Sequence, residues 1–165
     1  MRIFSFLLTT TLFALMGSFS SGAQAADGSV RITSIAQIEV ETVGKDGKKT
    51  LQRTPVSKAV PGTEVIYTNT FENIGKQPAG DIVINNPIPN DSEYTAGSAF
   101  GKNCDIQFSA DGGKIFGHAE DLKIKDAQGK DRSALPKEYT HIRWTYKGQL
   151  AAGKSGEVGF RAAIK

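Results

Sequence analysis

Cysteine, tryptophan and histidine are scarce in this chain of 165 residues, which contains one Cys, one Trp and two His. A disulfide needs two cysteines, so Cys104 cannot form a bridge within the chain, and the hydrophobic core has to supply the stability. Two interpretations of Cys104 stay open: a small buried hydrophobe, or a thiol that reacts or bridges to another chain. Transition-metal sites need clustered ligands, and His118 and His141 stand far apart in unrelated contexts. No metal site and no cofactor are therefore predicted.

A helical hydrophobic pattern and a strong charge excess are also lacking. After residue 25 no stretch of ten or more residues places its apolar side chains at the period of 3.6 that an amphipathic helix requires. The chain has 20 Lys and Arg against 17 Asp and Glu, a net charge of +3. So small and dispersed a charge does not provide the basic surface of a nucleic-acid-binding protein. The fold is therefore expected to consist of strands, and nucleic acid is excluded as a partner.

The first 25 residues have the three regions of a secretory signal peptide. Arg2 is followed by an apolar segment, and small residues lead to Ala23-Gln24-Ala25, a cleavage site of the A-x-A type. The alternative is a membrane anchor, but Thr9–Thr11 and Ser18–Ser21 interrupt a stretch that would need about 20 apolar residues. We expect residues 1–25 to be removed, leaving residues 26–165 as one domain with no membrane span. The protein would then be extracytoplasmic: periplasmic, secreted or at the cell surface.

Apolar and polar residues alternate with a period of two in several short segments. Val30–Val43 is the first, and its phase is interrupted near Ser34, where we expect a bulge. Asp46-Gly47 follows it and is typical of a tight hairpin turn. Similar alternation recurs in three further segments, at residues 65–71, 142–146 and 158–164. These strands, separated by Gly, Pro and Asn, predict an all-β fold, an antiparallel sandwich.

Two further expectations concern placement. The charged outward face of Val30–Val43 is typical of a protected sheet edge, so this strand is the candidate edge. The mixed-charge segment Glu120–Arg132 is interpreted as a short strand and a long solvated loop. Trp144 shares an inward phase with Ile142 and Tyr146, so we place it in the core with Phe160 opposite it on the neighbouring strand.

Two segments match chemical motifs. Gly148–Ser155 fits the pattern G-x-x-x-x-G-K-[ST] of a phosphate-binding loop, which requires a helix after it. Because an alternating strand follows instead, we interpret it as a Gly-rich hairpin between the last two strands, and no nucleotide is expected. Ser109–Phe116 resembles the Asp-box hairpin, in which Ser and Asp side chains bond the turn backbone. Asp111 is therefore assigned a turn role.

Other candidate sites are weaker. Asp126, Gly129 and Asp131 have the composition of a calcium loop but not its alternating ligand pattern, so they predict a solvated charged loop. No G-x-S-x-G nucleophile motif is present, and the paired carboxylates fall on surface positions. No catalytic residue is assigned, and the protein is not expected to be an enzyme.

A family resemblance rests on turn and core residues. It comprises Pro61-Gly62 before a strand with a central Tyr67, the turn Asn73-Ile74-Gly75, the segment Ile82–Pro89, Tyr94–Ser98, and the closing segments Thr140–Trp144 and Gly153–Arg161. In these features residues 55–165 resemble the conserved-repeat domain-of-unknown-function family, the eleventh of that series, which is found in bacterial surface and envelope proteins. The chain departs from its pattern at Asn69, where the family has an apolar inward residue, and at Asn86, where it has Asp. We expect a bulge, a bound water or a register shift at Asn69.

The resemblance implies an immunoglobulin-like sandwich that serves as a spacer or adhesive module, with no catalytic residues. We therefore expect a non-catalytic structural or interaction module of the bacterial cell envelope, with an envelope protein as partner. The alternative is an envelope carbohydrate-binding module that uses the loops Asn85–Asp91 or Glu120–Arg132 at one end of the sandwich. That alternative predicts exposed aromatic residues near these loops, and its candidates are Tyr94, Phe100, Phe116 and Tyr139.

Overall fold

The computed structural model describes residues 30–165, so the predicted signal peptide and its cleavage site lie outside the described residues. The described chain is all-β and its strands pair antiparallel. A single 3₁₀ turn, Pro136–Glu138, interrupts the strands within this range. The strands are β1 Val30–Val43, β2 Lys49–Pro55, β3 Glu64–Asn73, β4 Val83–Pro87, β5 Ser92–Tyr94, β6 Phe100–Gly101, β7 Cys104–Ser109, β8 Lys123–Lys125, β9 Asp131–Ser133, β10 His141–Tyr146 and β11 Ser155–Ile164.

Two sheets and one separate hairpin contain these strands. The larger sheet has the order β2-β1-β3-β11-β5, and the short strand β6 also pairs with β11. The smaller sheet has the order β4-β10-β7. Strands β8 and β9 form a two-stranded hairpin of their own. The segment Glu120–Arg132 therefore contains the expected short strand, but the loop after it is a five-residue turn closed by a second short strand.

The core lies between the two sheets. Trp144 of the smaller sheet and Phe160 of the larger one are both fully buried, with ring centroids 6.3 Å apart. Full burial of one large apolar side chain contributes about 1.5–3 kcal/mol to stability. The expectation that Trp144 is a core residue is confirmed. Its placement beside Phe160 on a neighbouring strand was wrong, because β10 and β11 belong to different sheets and the two rings meet across the interior.

Strand β1 is regular through the position where a bulge was expected. Its register with β3 is continuous from Val30 opposite Asn73 to Gln37 opposite Ile66. Ser34 stands opposite Asn69, and its hydroxyl donates a hydrogen bond of 2.6 Å to Asn69 Oδ1. Each of these polar residues occupies a position where the alternation predicts an apolar side chain, and the two are hydrogen-bond partners across adjacent strands. This pairing corrects both expectations, the bulge in β1 and the bulge or register shift at Asn69.

The turn after β1 is the predicted hairpin, and beyond residue 37 the outer strand of the sheet is β2. Gly47 has a φ of 76°, and the Gly44 N–H bonds the Lys48 carbonyl at 2.8 Å, so Asp46-Gly47 closes a tight turn. Strand β1 lies between β2 and β3, and β2 is the outer strand. The assignment of β1 as the edge was wrong for its second half, which carries the returning strand β2 on its outer side, whereas residues 30–35 pair with β3 alone.

Candidate functional site

The segment that matches a phosphate-binding loop connects the two sheets. Residues 147–154 lead from β10 in the smaller sheet to β11 in the larger one, so this segment is a crossover and the expected hairpin was wrong. Leu150 is buried and exchanges two backbone hydrogen bonds with Ala79, of 2.7 and 2.9 Å. Its carbonyl also accepts a bond from Asn73 Nδ2. An extended strand begins at Ser155, so the helix N-terminus that would bind a phosphate does not form here.

The Asp-box motif forms the hydrogen bonds that its residues predict. The Ser109 hydroxyl donates to Asp111 Oδ1 at 2.7 Å, and the same oxygen accepts the N–H groups of Lys114 and Ile115, each at 3.0 Å. The hydrogen bond from Ser109, helped by the backbone bonds, lowers the pKa of Asp111. Phe116 packs under the Arg143 guanidinium, 3.7 Å from the ring centroid. The role of Asp111 as a turn residue is confirmed.

The candidate metal ligands do not come together. Asp126 Oδ1 accepts the N–H groups of Gln128 and Lys130, which closes the β8–β9 turn, and Asp131 pairs with Lys125 at 2.7 Å. Nε2 of His118 lies 3.8 Å from Oδ2 of Asp105. His141 is half-buried, and its ring contacts Thr140. Across residues 30–165 no group of three or more His, Cys, Asp or Glu side chains has the arrangement of a metal site.

Cys104 is half-buried at the margin of the core, where it packs against the buried cluster. Burial raises the pKa of its thiol. A raised pKa lowers the fraction of the reactive thiolate at neutral pH. The geometry therefore favours the small-hydrophobe interpretation of Cys104.

An ion-pair cluster joins the β1–β2 hairpin to the larger sheet. The Arg161 guanidinium donates two hydrogen bonds to Glu39, of 2.9 and 3.0 Å, and one of 2.8 Å to Glu64. Arg53 also bonds Glu39, at 3.3 Å. The bonds from Arg161 lower the pKa of Glu39, and the two carboxylates raise the pKa of Arg161. This cluster lies on the outer face, where Arg161 stands beside the buried Ile66, and it holds the hairpin in a defined direction.

A cavity opens between the two sheets at the side opposite to β2. Its volume is about 290 Å³, and it lies between the edge strand β5 of the larger sheet and the edge strand β7 of the smaller one. We call it the aromatic cavity, after the buried rings of Tyr94, Phe108 and Tyr139. Its lining consists of Tyr94, Gly97, Ala99, Ile106, Phe108, Ala119, Pro136 and Tyr139.

The three rings of the aromatic cavity pack against one another. The Phe108 and Tyr139 centroids are 4.7 Å apart and stacked, and Tyr94 lies 5.4 Å from Phe108 and 5.8 Å from Tyr139. The Tyr94 hydroxyl accepts the Ala99 N–H at 3.1 Å, which fixes the turn after β5 over the cavity. Burial, with smaller contributions from Tyr94 and Glu120, raises the pKa of Tyr139. The lining contains no Asp, Glu, Lys, Arg or His side chain.

The four aromatic candidates are divided between buried and surface positions. Tyr94 and Tyr139 are buried in the aromatic cavity, Phe116 is half-buried under Arg143, and Phe100 is exposed beside Gly159. The loop Asn85–Asp91 borders a smaller cavity of about 120 Å³ with polar walls, which include Lys137, Glu138 and Lys165. The flat exposed ring that a glycan would stack on is not formed at this loop by any of the four candidates.

The hairpin that β1 and β2 form beyond residue 37 has both faces largely in solvent. Six of the seven residues of β2 are exposed. Val43 and Leu51, in neighbouring strands, are 65% and 67% exposed, and Val40 is also exposed. We call residues 37–55 the arm. In it, apolar side chains stand next to the unpaired edge of β2.

Sequence reasoning missed both the arm edge and the aromatic cavity. The lining of the cavity includes residues more than 40 positions apart in the sequence, so no local sequence pattern predicts it. The signal for the arm edge was the excess of polar residues in β2. The charged face of β1 led to the edge being assigned to β1 instead.

No family model, curated protein or solved structure was found to match the chain. No helix in residues 30–165 combines the length and the apolar character that crossing a membrane requires.

Proposed function

We propose that the chain is a non-catalytic interaction module of the bacterial cell envelope, exported after removal of residues 1–25, with an immunoglobulin-like sandwich as its body. The single observation that carries the interaction role is the arm, because an exposed edge strand accompanied by apolar side chains is a site for strand addition. The resemblance of residues 55–165 to envelope modules supports the compartment and the sandwich.

The charged groups of the described residues support a non-catalytic role. Those with shifted pKa values serve structural contacts: Glu39 and Arg161 hold the arm, Glu138 pairs with Arg132, and Asp111 closes a turn. An enzyme site would instead direct such groups into a shared cleft.

The backbone of β2 defines how a partner would bind. The Gly44–Lys48 bond and the bond from the Val56 N–H to the Ala36 carbonyl show that even-numbered residues of β2 bond to β1. By the alternation of an antiparallel pair, the N–H groups of Lys49, Leu51 and Arg53 point to the free edge. We infer that an extended segment of an envelope protein adds to β2 through these groups.

A substitution that removes one outward N–H tests this proposal. Leu51→Pro deletes the central outward donor and leaves the bonds between β2 and β1 in place, whereas the matched control Leu51→Thr changes the side chain and keeps the N–H. The chain is produced with residues 1–25 and a C-terminal tag, and envelope extract is passed over each variant. We expect a partner whose recovery falls about tenfold with Leu51→Pro and stays within about twofold with Leu51→Thr, a loss of about 1.4 kcal/mol of binding free energy.

Two results would contradict the proposal. Equal recovery of every bound protein by wild type and Leu51→Pro would exclude strand addition at β2. Saturable binding on a glycan array, with no protein retained, would favour the carbohydrate-binding alternative and move attention to the polar cavity beside Asn85–Asp91.

A further inference from the structure

The aromatic cavity is a concave pocket that is open to solvent, and its volume exceeds the voids that ordinary packing leaves in a core. Protein interiors pack densely and leave few spaces larger than a water molecule. A cavity of about 150 Å³ lined by apolar side chains binds benzene. At about 290 Å³, the aromatic cavity has roughly twice that volume, which suits a molecule with two fused rings.

The floor of the cavity consists of buried aromatic rings, whereas its mouth is lined by small, exposed residues. The rings of Tyr94, Phe108 and Tyr139 are buried and packed together, so they present a preformed apolar floor. Gly97 and Ala119 at the mouth are exposed. Small residues there leave the entrance open, and Gly97 has a φ of 73°, a conformation that favours glycine.

The charge of the surroundings restricts the chemistry of the ligand. No Lys, Arg or His lines the cavity, so a carboxylate or phosphate would enter without a counter-ion. Glu120 follows the mouth residue Ala119 and contributes to the raised pKa of Tyr139, and Lys137 follows the lining residue Pro136, so the charged side chains near the entrance do not favour an anion. An anion on the apolar floor would lose part of its hydration without gaining an ion pair.

We propose that the aromatic cavity is a binding site for a small, neutral aromatic molecule of about two fused rings, held between β5 and β7 by stacking on Tyr94, Phe108 and Tyr139. This site is separate from the arm and does not depend on the function proposed for it. Aromatic rings favour offset or edge contacts with centroids about 4.5–7 Å apart. The three rings already pack on one another at such spacings, so a bound aromatic molecule would extend an existing aromatic cluster.

Indole is the probe, and its binding is measured by calorimetry and by nuclear Overhauser effects to the three rings. We expect saturable binding with contacts to Tyr94, Phe108 and Tyr139. Ala119→Leu fills the mouth from an exposed position, so it should weaken binding at least about tenfold without loss of folding. The matched control is Ala152→Leu, which makes the same change at an exposed alanine in the crossover loop and should leave the affinity within about twofold.

A pair of probes matched in shape but different in charge tests the requirement for neutrality. Benzamide and benzoate have nearly the same shape, and we expect benzamide to bind at least about tenfold more tightly. Three results would overturn the proposal: no indole binding up to its solubility limit, indole contacts that avoid the three rings, or benzoate binding as tightly as benzamide. Equal affinity of the Ala119→Leu and Ala152→Leu variants for indole would overturn it as well.

Discussion

The buried amide of Asn69 is expected to cost the fold more than it contributes. Asn69 is only 2% exposed and faces the core side of β3. Its Oδ1 accepts the Ser34 hydroxyl, but its Nδ2 has no hydrogen-bond partner. A buried unsatisfied polar group costs about 1–3 kcal/mol, and the hydrogen bond that Asn69 does form returns about 0.5–1.5 kcal/mol.

Replacing Asn69 by Leu should therefore stabilise the protein. Leu has the same number of side-chain heavy atoms, removes the unsatisfied N–H groups and frees Ser34, which is exposed, to bond water. Larger methyl groups bring some crowding, which costs about 1–3 kcal/mol and offsets part of the added apolar burial. We expect a net gain of about 1–2 kcal/mol, measured by urea unfolding, and a rise in Tm of about 3–8 °C.

A double-mutant cycle with Ser34→Ala isolates the hydrogen bond from the packing change. Ser34→Ala should cost about 1 kcal/mol in the wild type, because Asn69 loses its one partner, and close to nothing in the Asn69→Leu background. The reasoning is refuted if Asn69→Leu lowers the unfolding free energy by more than about 1 kcal/mol while Ser34→Ala costs the same in both backgrounds.

Three further predictions concern the core, an ion pair and processing. Phe160→Ala should cost about 3–5 kcal/mol in urea unfolding followed by the fluorescence of Trp144, and a cost below about 1 kcal/mol would contradict their packing across the sheets. Hydrogen bonds from Arg132 lower the pKa of Glu138 to about 2 from an ordinary 4.5, so its ionised form stabilises the fold above that ordinary value and the contribution is lost as the pH falls. The Tm difference between wild type and Glu138→Gln should accordingly be constant above about pH 5 and close towards pH 2, and a difference that widens in acid would contradict the assignment. N-terminal sequencing of the exported protein should begin at Ala26, and an intact Met1 in that fraction would exclude cleavage.

Local sequence patterns were sufficient for strands β1, β3, β10 and β11 and for two turns, but not for most of the other strands or for how the strands pair. Alternation identified the inward faces of β3, β10 and β11, and the Asp-box residues identified their own turn, because these features depend on neighbours within a few positions. The connection 147–154 shows the limit. A short Gly-rich segment between two alternating strands fits a hairpin and a crossover equally well, and only the packing of Leu150 against Ala79 decides between them.

The two polar interruptions show a second limit. Ser34 and Asn69 are polar residues at positions where the alternation predicts apolar side chains. Each was interpreted as a local irregularity of its own strand. They are 35 positions apart and compensate each other across adjacent strands. A pattern read along one strand cannot reveal a partner on another, so the bulge was the wrong inference from a correct observation. The aromatic cavity escaped prediction for the same reason.

The positions of the two proposed sites predict that they act independently. The arm edge is β2 and the cavity borders β5, at opposite ends of a sheet in which β1, β3 and β11 lie between them. At about 4.8 Å per strand, four spacings separate the two edges by roughly 19 Å. Sites that far apart, with no shared contacts, are expected to contribute additively.

Leu51→Pro should therefore leave the affinity for indole within about twofold, and Ala119→Leu should leave the recovery of a β2 partner within the same range. Both are measured with the assays already described, on the same protein preparations. A larger effect in either direction would show that β3 and β11 transmit a change between the edges. The central strands, and with them the packing of Trp144 against Phe160, would then differ between the two variants.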